Sequence, residues 1–324
     1  MTVRAKVAVL GASAQEPPPG IGVVEGSVDL AFADSVPELA AVLPGSDVVI
    51  AWRNRRELLA GAWEHAGDLR WIQSASAGVD GLLFPELAQS HVVLTNARGV
   101  FEDPIAEYVV GLMLLFAKGL VGVLDGQRAR EWRHRDTEPL EGKRVLVVGA
   151  GSIGKAIGRR CSALGMQVRG VARSARADDE VFASVAAVGE LGGELGWADY
   201  VVNALPATAE TRHLFDAAAF AKMNPWARFV NVGRGSTVDE SALTRALQRG
   251  AIAGAALDVF EHEPLPRRSP LWGMPNVIVS PHVSGNAAGW REAVVELFVD
   301  NLRRYLLGRP LRNVVDKVRG YVPS

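Results

Sequence analysis

One cysteine, Cys161, stands in 324 residues, so the chain can form no intrachain disulfide and no thiolate cluster. That fits a reducing, cytoplasmic compartment, with Cys161 as a small buried hydrophobe. Lysine is scarce: six of the 35 basic residues, the rest being arginine, a bias under which no single arginine marks a site by itself. Neither sign of charge is in excess, because 35 basic residues meet 36 acidic ones for a net charge of −1. A nucleic acid or an anionic membrane is therefore not an expected partner. Long apolar runs are also missing. The longest, residues 108–117 between Glu107 and Lys118, falls short of the roughly 20 residues that span a bilayer and reads as part of a buried helix over 105–118. Arg4 and Lys6 ahead of VAVLGASA have the outline of a secretory leader, but a first strand ending in a glycine turn accounts for the same residues. There is no repeat with a period of about 20–50 residues and no low-complexity tract.

What the chain does have is length, apolar residues at 48%, and 34 glycines. The length suits about two domains. Short β-like runs alternate with helical patterns: KVAVL (6–10), DVVIAW (47–52), then RVLVVGA, QVRGVA, YVVNAL, RFVNVG, AIAGAALDV and VIVSPH. Such alternation means parallel sheets with crossover helices, and strands apolar at consecutive positions mean sheets covered on both faces. A doubly wound α/β fold follows. Residues 285–307 read as a long helix, with Val294, Val295, Leu297, Phe298, Leu302 and Leu306 on its apolar positions. A helix returning the chain to its first domain makes that domain discontinuous, residues 1–99 with 287–324, around a second domain of residues 100–286.

RVLVVGAGSIGKAIGRRCSALG contains G-x-G-x-x-G as Gly149, Gly151 and Gly154, after an apolar strand and before a helix. The first glycine makes the turn, the second admits a pyrophosphate, the third lets helix and strand approach, and helix N-terminal amides at Ser152 and Ile153 point at the phosphates. In so glycine-rich a chain the spacing alone is weak; the strand–turn–helix–strand context is what makes it a dinucleotide site. The following strand, 167–172, should end in an acid for an NAD ribose. Instead Ala172, Arg173, Ser174 and Arg176 stand there, a set suited to a 2′-phosphate, so NADP(H) is expected over NAD(H), which remains possible. Asp178 and Asp179 lie too far along the chain to be that acid.

Three later strands are followed by Arg234 (NVGRG), Glu263 (DVFEHEPLP) and His282 (SPHVSG), at the edge where open α/β sheets bind ligands. The arginine offers a fork for a carboxylate, the histidine exchanges a proton near neutral pH, and the glutamate fixes its tautomer. That set suits reduction of a 2-oxo acid.

From about residue 47 to the C-terminal helix, GAGSIG, NALPATAET, NVGRG, LDVFEHEPLP and SPHVSG occur in the order of the D-2-hydroxyacid dehydrogenase family, which the chain resembles. The resemblance implies two doubly wound parallel-sheet domains, a Rossmann-type cofactor domain inserted in a flavodoxin-like substrate domain, and a homodimer. It implies Arg234 as carboxylate ligand, His282 as acid/base and Glu263 as its support. It also implies Asp258 on the nicotinamide carboxamide, with Leu205, Pro206, Val232 and Gly233 lining the cofactor. SASAGVD (74–80) looks like the family's carboxylate loop, with amides of Ala77, Gly78 and Val79 converging on the anion, as a glycine turn can. Trp52 and Arg53 stand where the family reads the rest of the substrate; Trp52 would favour a small or apolar group, Arg53 or Arg55 a second anion. The missing ribose acid resembles the NADPH-preferring glyoxylate and hydroxypyruvate reductases, and an allosterically controlled biosynthetic phosphoglycerate enzyme is not expected, since no regulatory extension follows the C-terminal helix. Two alternatives stay open: a cofactor-sensing, corepressor-like binding protein, and a phosphite dehydrogenase-like enzyme. His65, His91, His134, His213 and His262 read as surface residues.

Overall fold

The computed structural model describes residues 4–323. They divide into two compact units, one running to Phe101 and resuming at Ala288, the other from Glu102 to Ala287.

The first unit holds five parallel strands, β1 (Ala5–Leu10), β2 (Val28–Ala33), β3 (Val48–Ala51), β4 (Trp71–Ser74) and β5 (Val93–Thr95). Their order, β2-β1-β3-β4-β5, is the flavodoxin-like winding. Along β1, Val7 and Val9 pack with Ile50, Trp71 and the C-terminal helix residues Val295, Phe298 and Leu302, whereas Ala8 and Leu10 pack with Val49, Ile72 and Leu94. Both faces are covered, which is why the strand is apolar at every position. The C-terminal helix is Trp290–Leu306, shorter than the pattern predicts, because Gly289 at φ 83° turns the chain just ahead of it. Its one fully buried polar residue, Asn301, donates from Nδ2 to Gln73 Oε1 at 3.1 Å and Arg312 O at 3.2 Å, and accepts the Arg312 amide at 2.8 Å.

The second unit holds seven parallel strands: β6 (Arg144–Val148), β7 (Gln167–Ala172), β8 (Val185–Ala187), β9 (Tyr200–Asn203), β10 (Arg228–Asn231), β11 (Gly254–Leu257) and β12 (Val277–Val279). The order β12-β11-β10-β9-β6-β7-β8 is the Rossmann order with one strand added at the β12 edge. Ahead of β6 lies the helix Glu102–Ala117, which is half-buried rather than buried: Ile105, Ala106, Val109, Leu112, Met113 and Ala117 face inward, while Val110, Leu114, Leu115 and Phe116 stay partly exposed. The next helix, Leu120–Ala129, ends at a left-handed Arg130 (φ 57°). Leu120, Val121, Val123 and Leu124 on it are exposed, and Trp132 beyond it is 99% exposed. Among the described residues no single helix is long and apolar enough to cross a membrane; these two pass that test only as a pair, bent by 61°.

Candidate active site

Parallel winding brings the carboxyl ends of all strands in a sheet to one edge. Arg234 follows β10, Asp258 and Glu263 follow β11, and His282 follows β12, three neighbouring strands. His282 Nδ1 lies 2.7 Å from Glu263 Oε2, and Glu263 Oε1 accepts the Phe260 amide at 3.0 Å. Burial pushes the Glu263 carboxyl up, but the hydrogen bond with His282, the Phe260 amide and the charges of His282 and Arg234 outweigh it and hold the group below its ordinary value. Glu263 is therefore ionised at neutral pH and engages Nδ1, which leaves Nε2 of the half-exposed ring for a ligand. The half-buried Arg234 donates from its guanidinium to Gly233 O at 2.8 Å.

Other residues hold this set in place. A Cβ at Gly235 would overlap the backbone of Phe260, so glycine there lets the Arg234 turn pass against the segment that carries Glu263. Asn203 and Asn231, which end two apolar strands, are buried and linked: Asn203 Nδ2 donates to Asn231 Oδ1 at 2.9 Å and to Thr237 Oγ1 at 2.6 Å. Asn203 Oδ1 accepts the Leu205 amide at 3.2 Å, and Asn231 Oδ1 accepts the Gly233 amide at 3.1 Å. These bonds fix the turns of Leu205, Pro206, Val232 and Gly233 at the strand ends. His282 has φ 54°, a left-handed conformation that is costly for a residue with a side chain. Asp258 enforces it: Oδ1 accepts Ser280 Oγ at 2.7 Å and the Val283 amide at 2.9 Å, and Oδ2 accepts the Ser284 amide at 2.9 Å. Asp258 is fully buried, so in this structure it serves the His282 segment and exposes no surface of its own to a ligand.

The phosphate loop meets the demands of a dinucleotide. Gly149 has φ 109°, a Cβ at Gly154 would overlap Gly149 O, and a Cβ at Gly151 would meet nothing within 4 Å, which leaves open space before the helix Ser152–Ala163. The first amides of that helix have no intrahelical acceptor. Past β7, Arg173 and Ser174 are exposed. Arg176 reaches back to the loop, 3.4 Å from Ala150 O, and its buried Nε has no partner. Asp179, dismissed by its chain position, is close in space, but it is turned inward with a side chain 3% exposed, 3.3 Å from Arg176 and 3.4 Å from Lys155. Its charge is paired with those two cations.

In the first unit, Trp52 follows β3 and stacks on Trp290, with ring centroids 6.1 Å apart, while Arg53 beside it is exposed. The 74–80 loop follows β4, the neighbouring strand. Ser74 Oγ accepts the Ser76 amide at 3.2 Å, and the Ala77 and Gly78 carbonyls accept side-chain amides of Asn96 and Asn54.

Residues 110–284 match the sequence profile of the D-isomer specific 2-hydroxyacid dehydrogenase NAD-binding domain. The glyoxylate/hydroxypyruvate reductase B of Salmonella schwarzengrund is 36% identical over 261 residues, which is 78% of this chain and 80% of that one. The chain belongs to the D-isomer specific 2-hydroxyacid dehydrogenase family. This dehydrogenase is an oxidoreductase that uses a nicotinamide cofactor, and its fold has close solved counterparts. A D-isomer specific 2-hydroxyacid dehydrogenase family protein from Aeromonas salmonicida superposes with a TM-score of 0.82 at 33% identity, covering 97% of this chain and 99% of that one. An NADPH-dependent glyoxylate/hydroxypyruvate reductase from Sinorhizobium meliloti, in complex with NADP and sulfate, superposes with a TM-score of 0.81 at 28% identity, covering 98% and 100%.

In this dehydrogenase several supporting residues escape a reading of motifs. Asn203 and Asn231 carry a usable signal, a polar residue ending an otherwise apolar strand. Asn54, Asn96 and Trp290 carry none, since only the fold brings them to the sites they support. His213, expected as a plain surface residue, has Nε2 2.8 Å from Glu261 Oε1.

Proposed function

We propose that this dehydrogenase reduces small 2-oxo acids of the glyoxylate and hydroxypyruvate type, with NADPH preferred to NADH. The observation that carries the reaction is the 2.7 Å pair of His282 and ionised Glu263 on strand ends adjoining that of Arg234. The cofactor preference is supported by the exposed Arg173 and Ser174, by Arg176, and by the inward turn of Asp179; the reductase from Sinorhizobium meliloti, described with NADP, points the same way.

When bound, the cofactor supplies a hydride to the carbonyl carbon. His282 donates a proton from Nε2 to the carbonyl oxygen, and Glu263 orients the ring and balances its charge. Arg234 clamps the carboxylate and stabilises charge developing on the oxygen. In the first unit, the Ala77 and Gly78 amides and the Val79 segment suit a carboxylate, Trp52 suits a small remaining group and Arg53 an anionic one. Ser152 and Ile153 amides hold the pyrophosphate beside Gly149, Gly151 and Gly154. Leu205, Pro206, Val232 and Gly233 line the nicotinamide side, and Asp258 acts there through the segment it anchors. The exposed apolar face of Leu120–Ala129 supports a homodimer, and the single cysteine a cytoplasmic setting.

A spectrophotometric panel tests this: NADPH and NADH against glyoxylate, hydroxypyruvate, pyruvate and bulkier 2-oxo acids. Expected is turnover of the small acids, with kcat/KM at least tenfold higher for NADPH. No turnover of any 2-oxo acid sinks the reaction, and a clear NADH preference sinks the cofactor assignment.

A further inference from the structure

The His213 amide donates to Ser236 O at 2.9 Å and the Phe215 amide to Thr237 O at 3.0 Å, while the Asp239 amide donates back to Phe215 O at 3.0 Å. Residues 213–215 therefore run beside 236–239, the stretch that follows Arg234. Thr237 reaches Arg234 itself, its Oγ1 donating to Arg234 O at 2.6 Å. From the same backbone, the ring of His213 engages the other half of the site. Its Nε2 lies 2.8 Å from Glu261 Oε1, two residues ahead of Glu263. A reciprocal pair ties these segments again: the Glu240 amide donates to Glu261 Oε1 and the Glu261 amide to Glu240 Oε2, each at 3.3 Å. Between them, Phe260, whose amide Glu263 accepts, lies against Gly235. His213 is thus joined by its backbone to the Arg234 turn and by its ring to the Glu263 segment. It holds φ 48° in doing so, a left-handed conformation that asparagine also tolerates.

We propose that His213, through Glu261, is a positioning residue for catalysis: it fixes the Arg234 turn against the segment of Glu263 and so against His282. This rests on the roles of Arg234 and His282 in 2-oxo acid reduction. The His213–Glu261 pair is part-exposed and adds little to stability, so its consequence is placement. A substrate held by its carboxylate on Arg234 has to meet the proton of His282 at its carbonyl oxygen. Slack between the two leaves carboxylate binding intact and slows proton transfer, so the loss falls on kcat rather than KM.

His213→Asn keeps a residue that accepts the left-handed backbone but has a shorter side chain than the imidazole, and Glu261→Ala removes the acceptor. With glyoxylate and NADPH, each is expected to lower kcat about three- to tenfold with KM changed less than about twofold, and with Tm and calorimetric NADP⁺ affinity retained. Glu261→Gln, which keeps an acceptor oxygen, should lower kcat less than Glu261→Ala. The double variant His213→Asn/Glu261→Ala should fall no further than Glu261→Ala alone, because both changes break one contact. Unchanged kcat in His213→Asn and Glu261→Ala, beside an active wild type, overturns the role of His213 and leaves the reaction standing. So does a loss confined to Tm, KM or NADP⁺ affinity, or a double variant whose losses multiply. A wild type that turns over no 2-oxo acid removes the reaction and this inference with it.

Discussion

His282, the proton donor of the proposed reaction, has a left-handed backbone and a ring tied to Glu263 at 2.7 Å. His282→Ala is expected to lower kcat by roughly 10²–10⁴-fold, the usual worth of a general acid, while fluorescence titration shows NADPH affinity retained. Arg234→Ala should lower kcat and raise KM for the 2-oxo acid together, because it removes contacts made in both ground and transition states. A second carboxylate reports on stability. Burial works to raise Asp199, but Arg144, through its side chain and its amide, and the Trp226 ring N–H hold it at about 2, against an ordinary 3.8. The native state therefore favours the ionised form. The stabilisation is complete above about pH 4 and lost as pH falls toward 2, on the order of 2 kcal/mol. Asn in place of Asp199 should lower stability at pH 7 by about that amount, with the gap to wild type closing between pH 4 and 2 in urea titrations.

Among the elements, the strand ends matter more than the strands. β10 and β9 are ordinary four-residue strands, yet Asn231 and Asn203 at their last positions fix the turns that carry Gly233, Arg234 and Leu205. The C-terminal helix depends in the same way on a polar residue in an apolar place. Asn301→Ala takes one donor from Gln73 Oε1, which keeps Thr95 Oγ1, and leaves the part-buried Arg312 amide and carbonyl without Asn301; it should cost about 1–3 kcal/mol, read as a lower denaturation midpoint. Legibility also divided by element. β6 and β9–β11 stand out in the sequence as apolar runs closed by glycine, asparagine or aspartate, whereas β7 and β12 are followed by Arg173 and Ser280. β4 does not stand out because Gln73 and Ser74 make half of it polar, and β2 does not because Asp29 interrupts its apolar residues. The helix pattern at 285–307 ran five residues early, since periodicity does not register a left-handed turn at Gly289.

For the whole molecule, the helix Leu120–Ala129 exposes Leu120, Val121, Val123 and Leu124, and Trp132 after it is 99% exposed, apolar side chains of the kind that mark association. Val121→Glu with Leu124→Glu is expected to leave the far-ultraviolet circular dichroism unchanged and to halve the mass found by sedimentation equilibrium. A wild type that already sediments as a monomer would refute the homodimer.

Sequence by itself determined the winding class and the phosphate loop, and it singled out Arg234, Glu263 and His282 as candidates, because strand alternation, glycine spacing and short motifs are written in residues near one another along the chain. It also marked the absence of an acid directly after β7. Tertiary structure alone decided that Asp179 is neutralised beside the loop, that Asp258 holds His282 in its strained conformation, and that Asn54 grips a loop 24 residues away. Each of these depends on a distance between segments that only folding brings within hydrogen-bonding reach, and no local pattern encodes such a distance.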